Sequence, residues 1–260
     1  MLKIQVGVEL ASLRQPFKKA LLTARELGVE AVEIDLRGEL RPDDLSQTGV
    51  RQVRKMLDDL NLRVSAATFR TRRGYNVVDD LEARIDATKR ALKLAYDLGT
   101  NVVVNHVGRV PPESDAAATG TLVQALSDIG RHSQRVGALL AAETGTETGA
   151  ELAALVARLP PGSIGVDFNP ASLVLQGHSP REAAAALAPH VLHVHATDAT
   201  RDLALGRGVE VALGQGSADF PEVLALLEEQ QYRGYITVAR HDSSAPLADL
   251  RQAIEFLRNL

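Results

Sequence analysis

Short apolar runs rich in β-branched residues alternate along the chain with longer segments whose apolar residues recur every three or four positions. A short run of this kind predicts a buried strand, and the longer periodicity predicts an amphipathic helix. Eight runs predict strands, over residues 4–10, 29–35, 62–68, 100–105, 138–143, 163–167, 191–195 and 235–239. The helical periodicity is clearest over residues 79–98, 121–136, 149–158, 222–230 and 246–259.

The junctions between these segments repeat. Leu27-Gly28, Leu98-Gly99 and Val136-Gly137 each end a helical pattern, and a strand pattern follows at once. Glycine is the usual residue just past a helix because it takes the left-handed conformation without a Cβ clash, and Asn61 is the common substitute. Helix starts carry residues that fit N-caps and capping boxes, namely Thr148 with Glu151, Ser179 with Glu182, and Asp219 with Glu222.

Repeated alternation of strand and helix predicts parallel strands, and eight such units close into a barrel. The sequence therefore predicts an α/β fold, a single (β/α)8 TIM barrel over residues 1–260. An open doubly wound sheet is the main alternative, but the first strand leads into Gly7-Val-Glu-Leu-Ala without the glycine-rich phosphate loop usual in that fold. No linker, low-complexity tract or charge run marks a second domain.

Composition removes several classes of function. Of the 260 residues, 45% are hydrophobic and 24% charged, and the net charge is −4, so we expect a globular core and no nucleic-acid partner. The absence of cysteine excludes disulfides, thiolate catalysis and Cys-bound metal sites. The amino terminus lacks a secretory pattern, and no apolar run approaches the ~20 residues of a membrane span. We therefore expect a cytoplasmic protein without a membrane partner.

Polar residues gather at the predicted strand ends, which is where barrels of this type carry their active sites. Glu33 and Asp35 could equally be outward-facing charges at a strand end or residues of the active site. His193 and His195 share one strand face, and one of them is expected to be structural. Asp198 is also consistent with a turn cap. The remaining residues of this rim are Glu9, Thr68, Arg70, Asn105, His106, Glu143, Asp167, Asn169, Arg240, His241 and Asp242.

Glu143 is the strongest functional candidate among these residues. It ends an apolar run, where a buried carboxylate is costly without a cation or hydrogen bonds. Two loops leave alternatives open. The cluster Arg70-Thr-Arg72-Arg73-Gly74-Tyr75 is either a lid, an anion site or, as we favour, an exposed basic loop. The stretch Leu213-Gly-Gln-Gly216 is either a phosphate cradle or, as we favour, a tight turn.

Five segments, taken in order, resemble the xylose-isomerase-like superfamily of sugar epimerases, inosose-type dehydratases and endonuclease-IV-type nucleases. They are residues 141–147, 164–177, 192–201, 213–220 and 231–239. In the epimerases a divalent ion lies at the mouth, held by a Glu ending strand five, an Asp ending strand six, a His ending strand seven and a Glu ending strand eight. The ion polarises the sugar carbonyl and hydroxyl, and the two glutamates act as acid and base.

Matched position by position, the resemblance implies that Glu143 and His195 are catalytic groups and metal ligands. Arg201 matches an arginine that binds substrate in some members of the family, and His106 matches a strand-four histidine seen in several members. Both are predicted to bind substrate. Asp198 and Arg240, at the same rim, complete the predicted substrate-binding set. Two arginines fit an anionic or hydroxyl-rich substrate better than a neutral sugar.

The departures from the family pattern fall on the metal site. Asn169 stands where the family has Asp, Ser172 replaces a nearby His, and Ala239 stands where strand eight ends in Glu. Asn169 is only a weak ligand because its carbonyl oxygen carries no charge. We therefore expect either one divalent ion (Mn²⁺, Mg²⁺, Zn²⁺ or Co²⁺) at a weakened site or none. Candidate replacement ligands are Asp167, His241 and Asp242.

The leading prediction is a carbohydrate isomerase, epimerase or related lyase that moves a proton next to a carbonyl with a degenerate metal site. A non-catalytic descendant that binds a sugar-like ligand or a protein partner is the alternative, since two ligand positions are lost together. An endonuclease-IV-like nuclease is remote, because Asn169 and Ser172 break its strand-six metal pair. The expected partner is a small sugar or sugar derivative, and the dimers common in the family add a homodimer as a further candidate.

Overall fold

Eight parallel strands close into a barrel in the computed structural model, which describes residues 4–112, 114–202 and 207–260. Residues 1–3, which belong to the segment predicted to lack a secretory pattern, lie outside this range. The barrel strands are β1 Gln5–Glu9, β2 Ala31–Asp35, β3 Arg63–Thr68, β4 Val102–Asn105, β5 Leu139–Glu143, β6 Ile164–Phe168, β7 Val191–Ala196 and β10 Tyr235–Val238. Around the barrel they follow the order β1, β10, β7, β6, β5, β4, β3, β2. The predicted (β/α)8 architecture is confirmed.

Helices cover the outside of the barrel. They are α1 Phe17–Glu26, α2 Gln47–Asp59, α3 Leu81–Leu98, α4 Ala116–Val136, α5 Gly149–Ala157, α6 Pro170–Gln176, α7 Pro180–Leu187, α8 Phe220–Glu229 and α9 Pro246–Arg258. Gly99 and Gly137 end α3 and α4 with φ of 99° and 89°, as their positions predict. Within the described ranges, no helix combines the length and the apolar character needed to cross a membrane.

The predicted helix starts differ in outcome. Thr148 and Glu151 form a complete capping box at the start of α5. The Ser179 side chain accepts a hydrogen bond from the backbone N–H of Glu182. Asp219 precedes α8, but its side chain makes no capping hydrogen bond and its backbone is left-handed, with φ of 45°. Asp219 thus holds the predicted N-cap position, but its carboxylate does not cap the helix.

Two register shifts decide which side chains face the interior of the barrel. Between β6 and β7, Val166 pairs with Val191 and Asp167 pairs with His193, so Leu192 is an extra residue. A similar shift between β2 and β3 leaves Ser65 extra. A bulge adds one residue to one strand and so changes which later residues lie opposite each other. The bulge in β7 therefore brings His193 into register with Asp167.

A two-stranded hairpin follows β7 and was not predicted. It pairs β8 Asp198–Asp202 with β9 Arg207–Val211 in antiparallel fashion, outside the barrel sheet. The hairpin packs against α6. It begins just past the carboxyl end of β7 and so forms part of the rim around the candidate site.

Candidate functional site

Glu143 and Arg70 form the central contact of the barrel mouth. Glu143 ends β5 and is buried. Arg70 follows β3, and its Nε and Nη2 donate hydrogen bonds to Oε2 and Oε1 of Glu143 at 3.0 and 3.1 Å. A third nitrogen of the guanidinium, Nη1, lies 3.8 Å from Oε1 of Glu9 at the end of β1. The two hydrogen bonds to Glu143 have the strong bidentate geometry of an Arg–carboxylate pair, and the same arginine also approaches Glu9.

The loop that carries Arg70 is anchored from beneath. The Tyr75 hydroxyl is fully buried, lies 2.7 Å from Thr88 Oγ1 and accepts a hydrogen bond from Asn105 Nδ2 at 2.7 Å. Asn105 Oδ1 accepts the backbone N–H of Thr71 at 2.9 Å. Burial raises the pKa of Tyr75 to about 12. These contacts hold Arg70 in the mouth, so the prediction of an exposed basic loop fails there.

Two other arginines of that loop match the prediction. Arg72 and Arg73 are exposed, and Arg73 pairs with Asp79 at 2.8 Å.

Two imidazoles flank the pair of carboxylates. His106 Nε2 lies 3.3 Å from Glu143 Oε2, and His241 Nε2 lies 2.9 Å from Glu9 Oε2; both histidines are about half exposed. Burial alone would raise the pKa of Glu9, but the hydrogen bond and charge of His241, with the charge of His195, lower it to about 2. The hydrogen bond to Glu9 raises the pKa of His241. The mouth therefore combines two carboxylates, a guanidinium and two imidazoles that face the opening.

Asn169 presents its amide nitrogen, and not its oxygen, to Glu143. Its Nδ2 donates to Glu143 Oε1 at 2.9 Å. Its Oδ1 already accepts the backbone N–H of Ser172 at 3.1 Å and the hydroxyl of Thr197 at 2.7 Å. These two donors fix the orientation of the amide, because only an oxygen can accept from both. The expected role as a weak metal ligand therefore has no support in this arrangement.

Beneath the mouth lies a buried chain of ionisable groups, centred on His195. Its Nδ1 lies 2.8 Å from Asp167 Oδ2, and its Nε2 lies 2.8 Å from Glu33 Oε2. All three side chains are fully buried. Of the two interpretations of Glu33, the outward-facing charge is therefore wrong. Asp35, in contrast, is exposed. Burial lowers the pKa of His195, but the two carboxylates outweigh burial and raise it well above its usual value.

The chain continues toward the bottom of the barrel. Asp167 Oδ1 lies 2.7 Å from His193 Nδ1, and His193 Nε2 lies 2.7 Å from Thr237 Oγ1. Thr237 donates to Ser65 Oγ at 3.0 Å. Burial would raise the pKa of Asp167, but both histidines lower it. We call the six residues of this chain the buried network: Glu33, Ser65, Asp167, His193, His195 and Thr237.

These pKa shifts predict a stability maximum in mildly acidic solution. The unfolded chain takes up carboxylate protons near pH 4, which the folded state resists because the pKa values of Glu9, Glu33 and Asp167 are lowered. Stability therefore falls as the pH drops below about 4.5. Above about 6.5 the unfolded histidines lose protons that folded His195 and His241 retain, so stability falls again as the pH rises.

Thermal unfolding measured at about pH 3, 5.5 and 8.5 tests this maximum. A melting temperature that keeps rising up to the most alkaline sample would contradict it.

Asp198 organises a loop. Its two carboxylate oxygens accept four backbone N–H groups, from Ala199, Gly214, Gly216 and Ala218, at 2.8–3.0 Å. The glycine-rich stretch after the hairpin therefore already has an internal anion on the amides that would cradle a phosphate. This geometry agrees with a turn-capping role and leaves the predicted substrate-binding role without support.

Neither predicted substrate-binding arginine contacts Glu143 in the described structure. Arg240 Nε donates to Asp249 in α9 at 2.9 Å, and its Nη1 lies 3.1 Å from Glu210 in β9. Arg201 lies in β8, and its guanidinium packs so closely on Gly177 that a side chain there would collide with it. Arg240 thus links the hairpin to the last helix. The arginine that contacts Glu143 at the mouth is Arg70, and neither Arg201 nor Arg240 does so in the described residues.

The buried carboxylates and imidazoles lie close enough together to hold a metal ion. Ligand atoms of Glu143, Asp167 and His195 lie within 4.8 Å of one another, and so do those of Glu33, His193 and His195. In the described arrangement these atoms already have partners. Both nitrogens of His195 face carboxylates, and both oxygens of Glu143 accept hydrogen bonds from Arg70.

The positions that should complete a metal site do not supply ligands. Asn169 turns the donor end of its side chain toward Glu143, and Ala239 has no polar side-chain atom. Of the candidate replacements, Asp167 lies between two histidines, His241 contacts Glu9, and Asp242 is exposed. The cluster could therefore hold a metal ion only if these contacts were exchanged for bonds to the ion, because Arg70 now occupies both oxygens of Glu143 and carboxylates face both nitrogens of His195.

Comparisons with known proteins agree with this architecture. The family model of the xylose isomerase-like TIM barrel matches residues 21–260. A xylose isomerase domain protein from Planctomyces limnophilus superposes with a TM-score of 0.86 at 24% identity, over 98% of this chain and 96% of that one. No curated protein matches the sequence.

Two further solved structures superpose over nearly their whole length. A xylose isomerase-like TIM barrel protein from Mycobacterium smegmatis, in complex with magnesium, gives a TM-score of 0.79 at 19% identity, over 100% of this chain and 96% of that one. A D-psicose 3-epimerase, in the presence of D-fructose, gives 0.79 at 15% identity, over 98% and 99%. At these identities the likeness establishes the fold, and the family model establishes the membership. The chain belongs to the family of xylose isomerase-like TIM barrels.

Proposed function

We propose that this protein is an enzyme that moves a proton at a carbon next to a carbonyl in a sugar or sugar derivative. The class is that of a sugar isomerase or epimerase, or a related lyase. The observation that carries the proposal is the buried Glu143 carboxylate at the carboxyl end of β5, aligned by Arg70 and by His106 at the rim. Membership of a family with sugar epimerases among its structural neighbours supports the choice of substrate class.

In this proposal Glu143 accepts the proton from the substrate carbon. The electron pair of the broken C–H bond moves onto the carbonyl oxygen and gives an enediolate. Arg70 and His106 are partly exposed beside Glu143 and supply the N–H donors for the charge that develops on that oxygen. Return of the proton to the former carbonyl carbon, with transfer of the hydroxyl proton from the second oxygen to the first, gives an isomer. Return of the proton to the opposite face of the original carbon gives an epimer. Loss of the hydroxyl group from the next carbon, which takes up the abstracted proton and leaves as water, gives the lyase outcome.

A second carboxylate is available for the return step. Glu9 lies on the other side of the Arg70 guanidinium and contacts the half-exposed His241. In the family the second carboxylate comes from strand eight, where this chain has Ala239. Glu9 comes from β1, which is the barrel neighbour of β10, the strand that ends before Ala239. We therefore assign Glu9, with His241, to the second proton-transfer position.

Buried His195 is assigned a positioning role in this proposal. It lies beneath the mouth, with both ring nitrogens on carboxylates, and it helps to keep Glu9 ionised through its charge.

Proton exchange with solvent tests the proposal directly. The protein is incubated in deuterium oxide with ketopentoses, ketohexoses and the corresponding sugar acids, and deuterium next to the carbonyl is followed by NMR. We expect incorporation above the protein-free rate for at least one of these compounds. Binding of a compound without any incorporation across the panel would instead favour a non-catalytic sugar-binding protein.

A further inference from the structure

Every described polar contact of the Glu143 carboxylate comes from a side chain that can donate a proton. Arg70 donates to both oxygens, Asn169 Nδ2 donates to Oε1, and His106 Nε2 faces Oε2. A carboxylate has about four lone-pair positions. Three of them accept hydrogen bonds from Arg70 and Asn169, and His106 Nε2 lies 3.3 Å from Oε2 on the remaining side. A divalent ion needs lone pairs that point toward it, so the environment of Glu143 is built for donors and not for a metal.

Arg70 also supplies the charge that a metal would bring to this position. Its guanidinium stays protonated at any working pH, and it reaches both Glu143 and Glu9. The planar group presents several N–H donors in fixed directions, which lets one residue align two carboxylates and still face the opening, since its side chain is 32% exposed.

Asn169 and Ala239 are consistent with the same arrangement. An aspartate at position 169 would place a second charged carboxylate beside Glu143, with Arg70 alone to balance both. The neutral amide removes that charge and adds a donor 2.9 Å from Glu143. Ala239 likewise adds no carboxylate to the rim. The missing carboxylates at positions 169 and 239 and the guanidinium of Arg70 therefore act in the same direction, because all three reduce the negative charge at the mouth.

We propose that Arg70 is the resident cation of the mouth, and that it replaces a divalent ion there and keeps such ions away from Glu143. The ligand class this site takes is an oxyanion or a polarised carbonyl oxygen, held by the guanidinium. Cation binding at the mouth can be measured whether or not the protein turns over a sugar.

Calorimetric titration of metal-stripped protein with Mn²⁺ tests the proposal. We expect the Arg70→Met variant to bind Mn²⁺ at least about tenfold more tightly than the native protein, because removal of the positive charge frees both carboxylates. The gain should disappear in the Arg70→Met/Glu143→Gln double variant. Arg70→Lys, which keeps the charge, should show no gain. Arg73→Met is the matched control from the same loop and should bind as the native protein does.

Two outcomes would overturn the proposal. One is a folded Arg70→Met variant, checked by circular dichroism, whose Mn²⁺ affinity equals that of the native protein. The other needs no Arg70 variant and so remains decisive if that variant does not fold. It is tight binding of one Mn²⁺ by the native protein that is lost on Glu143→Gln. A failure to find sugar turnover would leave both measurements unaffected.

Discussion

Replacement of Glu143 by glutamine is expected to slow proton exchange into the substrate by about 10²- to 10⁴-fold, the usual contribution of a positioned acid or base. The amide cannot accept a proton from carbon. Its NH₂ group would also face the Arg70 guanidinium, which now donates to both oxygens of Glu143. Loss of the base and misplacement of Arg70 should therefore act together. The rate of deuterium incorporation, followed by NMR, measures the change.

Glu147→Gln is the matched control for this experiment. Glu147 is buried like Glu143 and lies four positions along the chain, but its side chain contacts Thr146. Burial raises the pKa of Glu147, so an amide is a mild replacement there. We expect exchange at the native rate. Equal rates for native protein and the Glu143→Gln variant would show that another group takes the proton.

Replacement of Asp167 by asparagine is expected to lower the free energy of unfolding by about 3–5 kcal/mol, the cost of breaking a buried ion pair by removing one partner. Asp167 lies between His193 and His195, with contacts of 2.7 and 2.8 Å. Without its charge, His195 keeps only Glu33 as a buried counter-ion. Urea denaturation followed by circular dichroism measures the loss.

Asp128→Asn provides the control for charge removal as such. Asp128 pairs with Lys89 at 2.6 Å, but this pair lies at the surface of α3 and α4. Surface ion pairs contribute about 0–1 kcal/mol, so a small effect is expected. If the two variants lost similar stability, the buried network would not be the source of the effect at Asp167.

The barrel could be predicted from local patterns, because the sequence signal of each strand and helix lies within a few neighbouring residues. The glycines after the helices and the apolar runs that follow them place β4 and β5 within about two residues of their observed bounds. The hairpin after β7 was not predicted, because short strands outside the core do not need a regular pattern of apolar residues. The bulges that leave Ser65 and Leu192 extra depend on the neighbouring strand and have no local signal.

The site was predictable only in part for the same physical reason. Glu143 was predicted as a site residue because a charged residue directly after an apolar strand is unusual, and this signal does not depend on the neighbouring strands. Arg70 was misjudged, because its direction depends on the buried contacts of Tyr75 with Thr88 and Asn105. The contact between Glu9 and His241 joins opposite ends of the chain and follows from the pairing of β1 with β10. Such contacts appear only once the barrel is closed.

The buried network has a consequence for the order of events during synthesis. Its members come from β2, β3, β6, β7 and β10, and Thr237 lies in the strand that closes the barrel between β7 and β1. Until β10 emerges from the ribosome, His193 lacks its hydroxyl partner and the interior stays open to water on that side. Contacts between distant parts of a chain form late and slowly. The buried network therefore cannot be closed off from water before translation has delivered the last strand of the barrel.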